Sequence, residues 1–367
     1  MSGERASDAG ADLEAIDWEA LEGRGLEYTR RDLAAVLALV AYVLAWTYDH
    51  VVGSVGPSVT NVDWLFGLTL LVGCWTVVVP LWERDRMRRY YWRRFKRNRA
   101  AVVSLGFLAV VFVVGLLGPV VLGRPEPNWG MGHQPPVGFG GTWAHPFGTT
   151  RNGEDLLLIT VSGMRVSLQV GLIATMVSIA LATVVGTTAA FAGGWIDEAL
   201  MRFVDLLMTF PTFFLVLFLV FIYGGDLFLL IVILAITGWG GQARLIRSEA
   251  LQRVDTEYVR AARAIGASRF YVIRRHVVPN VSNTVITAAT LAIPYLILYE
   301  AVIAFLGFGD PTVWSWGRII DDGRSHLGTA PWVSTIPGIA LFLTVLAFNF
   351  LGDALRDALD PRHEVDR

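Results

Sequence analysis

Runs of about 20 apolar residues without a charged side chain recur along this chain, and they restrict it to helices that cross a bilayer. A hydrocarbon core of about 30 Å takes about 20 helical residues to span. Inside it every backbone N–H and C=O must be satisfied by the segment itself, which helices do and open sheets do not. The rest of the chain agrees: of 367 residues 54% are hydrophobic and only 17% charged, with a mean hydropathy of +0.52. That balance lies outside soluble globular domains and predicts an all-α polytopic membrane protein.

Eight spans are predicted. The first, 33–48, lies between Arg30, Arg31, Asp32 and Asp49, and the second, 64–82, carries tryptophan at both ends, as an interfacial belt does. The third is 100–123. It leads into a loop rich in Pro and Gly, expected to be external. The fourth, 166–196, holds Ala182, Gly186, Ala190 and Gly194 at every fourth position, a ladder of small residues that permits close helix packing in lipid. The fifth follows Asp205 and includes Pro211. The sixth is 227–243, the seventh follows Asn283 and includes Pro294 and Glu300, and the eighth is 333–351.

Charge orients these spans. Nine basic residues fall in 84–99, and Arg247, Arg253, Arg260, Arg263, Arg269, Arg274 and Arg275 lie in or beside the insert between the sixth and seventh spans. The positive-inside rule places both stretches in the cytoplasm, and an even number of crossings leaves both termini there, in the cell (cytoplasmic) membrane. A basic run beside an apolar span marks a membrane edge, so nucleic acid is not implied. The first residues are acidic (Glu4, Asp8, Asp12, Glu14) and no cleavable signal is expected.

Several chemistries lack their residues. A P-loop needs a lysine after glycines, and the only lysine, Lys96, sits in RRFKRNR. The six histidines form no HExxH pair, no metal site is expected, and Ser162 lacks the leading glycine of a nucleophile elbow. A single cysteine, Cys74, forms no internal disulfide. An ion-driven carrier would need intramembrane acids, of which Glu300 is the one clear case, read either as a pore-lining or gating carboxylate or as a group that lies near the outer interface of the seventh span or packs against a partner helix.

The Arg-rich insert carries most of the functional information. Tyr258, Ala261, Ala262 and Ile265 recur at helical spacing, Gly266-Ala267-Ser268 ends that helix in a sharp turn, and a second amphipathic piece leads to Pro279. Periodicity alone fits a helix lying on anionic lipid. The segment YVRAARAIGASRFYVIRRHVVPN, however, resembles the EAA loop of ABC-transporter permeases, in the C-type subunits of the dipeptide/oligopeptide/nickel class. Ala261, Ala262, Gly266 and Pro279 occupy the motif's small, glycine and proline positions, and Tyr258, Ala267, Ser268 and Asn280 fit the peptide class. Arg260 stands where the family has Glu. Further matching segments are RFKRNRAAVVSL, HPFGTTRNGEDLL (with Thr150 and Glu154 in place of an acidic and a basic residue), GGWIDEALMRFVDLLMTFP, PTVWSWGRIIDDGR and LAFNFLGDALRDALDPR.

The resemblance implies a type I ABC importer permease core of six transmembrane helices, preceded by a two-helix extension. The expected organisation is an acidic cytoplasmic segment 1–30, an extra hairpin 31–83, a basic segment with the first core helix and external loop 84–162, a core 163–353 with its loop at about 244–282, and a cytoplasmic tail 354–367. In the family the EAA loop docks in a cytoplasmic ATP-binding subunit, so Glu257, Tyr258, Ala261, Ala262, Gly266, Ala267, Ser268, Pro279 and Asn280 are the expected coupling residues. The chain itself would be no enzyme and hold no cofactor, with ATP and Mg bound by two cytoplasmic partner subunits. A homologous permease and an extracytoplasmic solute-binding protein complete the assembly. Trp314, Ser315, Trp316 and Gly317 either help to seat that protein or anchor their loop at the interface. The expected cargo is a di- or oligopeptide, the alternatives being nickel chelates or sugars. Rival classes are an ion-gradient-driven secondary carrier and a membrane scaffold whose Arg-rich loop binds lipid.

Overall fold

The computed structural model describes residues 30–51, 53, 59–123 and 125–359, and the regular structure of these is helical throughout. The acidic segment expected before Arg30 and the tail beyond Leu359 lie outside the described residues. The chain divides into two units at Val59, and the first contributes one helix, α1 (Arg30–Val51).

The second unit begins at Thr60, whose side chain accepts from the Asp63 N–H while the Asp63 carboxylate accepts from the Thr60 N–H, a capping box. Helix α2 starts at Asn61, passes through a wider turn at Cys74–Val78 and ends at Glu83, 23 residues in all. Basic α3 (Asp85–Phe95) follows, then α4 (Arg99–Val121) and α5 (Leu156–Ala192). Next come α6 (Gly194–Thr209), α7 (Thr212–Tyr223), α8 (Leu227–Thr237) and α9 (Gly240–Val254). An elbow of α10 (Glu257–Ala264) and α11 (from Arg269, through a wide turn, to Asn280) leads to α12 (Ser282–Phe305), short α13 (Trp316–Arg324) and α14 (Trp332–Leu359).

Six of these helices are long and apolar enough to cross a membrane, and two bent pairs raise the number to eight. The expected fifth and sixth spans are the bent pairs. The first, α6 with α7, turns by 78° at Phe210-Pro211, and the second, α8 with α9, by 41°. Pro211 sits at the start of α7 and not within a helix, whereas Pro294 lies buried inside continuous α12.

The fourth span differs from its expected bounds. Asp155 caps α5 by accepting from the N–H groups of Leu157 and Leu158, so the helix starts ten residues before 166 and runs for 37. Arg165 is tolerated inside it because its guanidinium donates to Asp63 at 2.6 Å, and Gln169, one turn on, donates to the same oxygen at 2.7 Å. Gly193, at φ +61°, then breaks the helix, so Gly194 of the small-residue ladder opens α6 instead.

Helix α5 is the spine of the second unit. Its first half packs with α4, α8, α12 and α13 in one apolar cluster containing Ile159, Ile173, Leu230, Ile231, Ile297, Ile303 and Trp316. Its second half shares a separate cluster with α6, α9 and the elbow. Ala182 and Ala190 are buried there, and a Cβ on Gly186 would stand 2.6 Å from the Ala243 carbonyl oxygen.

Asp63 holds α2 against this spine together with Val62 and Phe66, which are buried in the first cluster. We expect Asp63→Ala to destabilise the chain by about 2 kcal/mol, the usual loss for hydrogen bonds to a charged group. Thermal unfolding in detergent reads this as a lowered midpoint, and an unchanged midpoint would show that apolar contacts alone seat α2.

Candidate functional site

Helix α10 begins after Thr256, whose carbonyl accepts from the N–H groups of Val259 and Arg260. It ends in a Schellman turn: the Ala267 N–H donates to Ala262 O at 3.1 Å across Gly266, which takes φ +85°. Ser268 then caps α11 by accepting from the Tyr271 N–H. An L-residue with a side chain resists this backbone at Gly266 even though nothing stands within 4 Å of its missing Cβ.

The elbow has two faces. Val259, Val272 and Val277 are 0% exposed and Ala262 is 8% exposed, all in the cluster that contains Ile246, Ala250 and Trp239. His276 lies between the rings of Tyr258 and Tyr271, at 6.1 and 6.0 Å, and ties α10 to α11. The Asn280 amide donates to the His276 carbonyl at 2.6 Å. The other face presents Glu257, Tyr258, Arg260, Ala261, Gly266, Ser268, Arg269, Arg274, Arg275, Pro279 and Asn280, all exposed.

Ala262 therefore turns inward and Ala267 is half-buried, while the remaining expected coupling residues share the open face. Two side chains outside the expected set dominate that face: Ile265 is 86% exposed and Phe270 73% exposed. Ile265 falls in the same helical register as Tyr258 and Ala261 and is exposed with them, next to the turn at Gly266.

The segments expected at the far end of the bundle are mostly interior. Trp316 is fully buried, donating through Nε1 to Thr160 O at 3.0 Å, and Ser315 and Gly317 are buried with it. They are enclosed within this chain, where α13 folds back between α5, α12 and α14. Trp314 is half-buried beneath the Arg318 guanidinium, 4.3 Å from its ring. Glu300, 2% exposed, lies inside α12 and accepts from the Ser315 hydroxyl, while its Oε2 has no partner among the described residues. It is a carboxyl packed in the interior of this chain.

A groove of about 730 Å³ was not anticipated. It runs along α7 and is lined by Phe210, Pro211, Phe214, Leu215, Leu217, Phe218, Phe221 and Phe308. The three- and four-residue spacing of Phe210, Phe214, Phe218 and Phe221 was visible in sequence, but a lipid-facing helix has the same spacing.

Residues 170–365 match the family described as binding-protein-dependent transport system inner membrane component, and residues 87–136 match the N-terminal TM domain of oligopeptide transport permease C. The oligopeptide transport system permease protein OppC of Haemophilus influenzae is 38% identical over 74% of this chain and 87% of its own length. The dipeptide transport system permease protein DppC of Bacillus subtilis is 35% identical over 74% of this chain and 84% of its own. A solved structure of the MetNI methionine ABC transporter in an inward-facing conformation aligns with 56% of this chain at 19% identity and a TM-score of 0.47.

The loop between α4 and α5 meets the α13–α14 connection through His133 and His326, whose rings lie 4.5 Å apart. Partial burial, with His326 and Arg151 nearby, lowers the His133 pKa from the ordinary 6.5, against the opposing pull of Asp322. The folded loop thus favours the neutral ring. Its contribution is complete above the ordinary histidine value and is lost as pH falls below it. The protection of residues 125–155 against hydrogen exchange, after correction for the pH dependence of intrinsic exchange, should be lower at pH 5.5 than at 7.5. In His133→Asn, which tolerates the φ of 55°, the difference should shrink, and an equal difference in both proteins would locate the sensor elsewhere.

Proposed function

The chain belongs to the family of binding-protein-dependent transport system inner membrane components, as a permease subunit of an ABC importer, and on that footing we propose that its cargo is a di- or oligopeptide. The relatives' printed names, oligopeptide and dipeptide permeases at 35–38% identity, support that cargo. The Arg-rich elbow end is the cytoplasmic one, with both termini on that side. A homologous permease completes the pathway, two cytoplasmic ATP-binding subunits carry ATP and Mg, and a solute-binding protein seats on the opposite end around 123–165 and 307–332. Residues 31–83 are an N-terminal addition to a core spanning 163–353.

The observation that carries the coupling role is the two-faced elbow. Its inner face is continuous with the apolar cluster around α9 and the second half of α5, so force on the elbow reaches the spans directly. Its outer face leaves Ile265 and Phe270 exposed at the turn. A partner cleft that buries one such side chain gains about 2 kcal/mol. Glu257, Tyr258, Arg260, Ala261, Ser268, Pro279 and Asn280 form the contact rim, and Gly266 holds the turn. ATP binding draws the two partner subunits together, and the elbow moves with them. Only a ligand with differing affinity for the two states shifts them, so ATP and the loaded solute-binding protein both favour the outward-open form.

Proteoliposomes with both permeases, the ATP-binding subunits and the solute-binding protein should accumulate labelled peptide only with ATP. Accumulation by this chain alone under a proton or sodium gradient would refute the assignment. Ile265→Asp should weaken retention of the ATP-binding subunits about thirtyfold, read by co-purification at graded concentration. Gly266→Val should lower uptake at least tenfold while membrane insertion persists, and full ATP-driven uptake in that variant would exclude the elbow as the coupling element.

A further inference from the structure

Helix α6 lies across the break in the other bent pair. A Cβ on Gly240, the first residue of α9, would stand 2.9 Å from Cγ of Met208 and 3.3 Å from Cγ1 of Val204, both on α6. Phe203 of α6 meets the Trp239 ring at 6.3 Å. Two arginines of α9 then reach back to α6. Arg247 grips Asp197 with both arms of its guanidinium, Nε to Oδ1 at 2.5 Å and Nη2 to Oδ2, and Arg244 pairs with Asp205.

The two pairs differ in weight. Arg244 and Asp205 are 47% and 56% exposed, where an ion pair contributes little. Arg247 and Asp197 are 29% and 18% exposed and meet in a bidentate fork, which fixes orientation as well as distance.

We propose that α6 is a strap through which motion of the elbow is passed to the α6–α7 bend, with Asp197 and Arg247 as its positioning residues. This rests on the coupling role assigned above to the elbow. Helix α9 leads directly into α10, so displacement of the elbow displaces Arg247. The fork carries α6 with it. Because α6 ends at Phe210-Pro211, where the chain turns by 78°, the displacement emerges as a change at that bend, beside the phenylalanine groove of α7. The two breaks in the bundle thus open and close together, and the groove is the surface that changes shape.

The test uses the complete importer in proteoliposomes, with three versions of this chain: Asp197→Arg, Arg247→Asp and both together. Uptake of labelled peptide, ATP hydrolysis and subunit stoichiometry are measured on the same preparations. Each single variant should form the complex and hydrolyse ATP while uptake per ATP falls at least tenfold. The double variant, which restores a pair of opposite charges, should recover uptake per ATP to within about threefold of the wild type. A contribution to folding alone would not change that ratio. The strap is overturned by wild-type coupling in either single variant, by losses of uptake that merely track lost complex or lost hydrolysis, or by an assembled double variant that stays uncoupled. Absence of ATP-driven uptake in the wild type would instead overturn the reading on which the strap rests.

Discussion

A side chain at residue 186 would place its Cβ 2.6 Å from the carbonyl oxygen of Ala243 and 3.0 Å from the backbone nitrogen of Arg247, so α5 and α9 touch backbone to backbone. Much of the elbow end of the bundle depends on this approach. Lipid is as apolar as leucine, so helices in a bilayer gain little by merely hiding hydrophobic side chains, and close packing over small residues must hold them. Glycine at 186 and alanine at 182 and 190 give α9 a fixed seat on the long spine. From that seat Arg247 reaches Asp197, and the chain leaves α9 for the elbow at a defined angle. A bulkier residue at 186 would lift α9 and move the arginine and the elbow with it.

The separation into two apolar clusters gives the bundle two working ends. Near the α4–α5 loop, α13 closes the space between α5, α12 and α14 with the fully buried Trp316. At the elbow end, the cluster reaches out of the spans to include Val259, Val272 and Val277, so the elbow is a projection of the membrane core and not a loop resting on it. The helical periodicity of 258–265 by itself favoured a helix lying on lipid. Val259 is buried while Ile265 and Phe270 are exposed, so the elbow turns one face to the bundle and another away from it.

Helical class and the existence of eight apolar segments were legible because hydropathy reports where water is excluded. What excludes it is not legible: Trp316 buried by protein and a tryptophan at a lipid interface look alike in sequence. The turn at Gly266 was readable from glycine's access to positive φ, and its φ is +85°. The breaks at Pro211 and Gly238 were not, since proline occurs in unbroken α12 as well. Least visible were pairings between distant positions. Arg165 read as the edge of a span, and only Asp63, about a hundred residues earlier in the chain, explains why α5 runs straight through it.

Two departures from the family's residue pattern fall on positions of opposite burial. Thr150 and Glu154 stand where the family has an acidic and a basic residue. Both are buried, and the Thr150 hydroxyl donates to the Glu154 carboxylate while the Glu154 N–H donates back to Thr150 Oγ1. These two hydrogen bonds pin the loop before α5 within this chain. Arg260 reverses the charge of the motif's Glu and is exposed, with no ion-pair partner among the described residues. A buried position must be balanced by its own neighbours, as 150 and 154 are. An exposed one on the elbow's open face is solvated by water, so its charge can reverse at little cost to the fold.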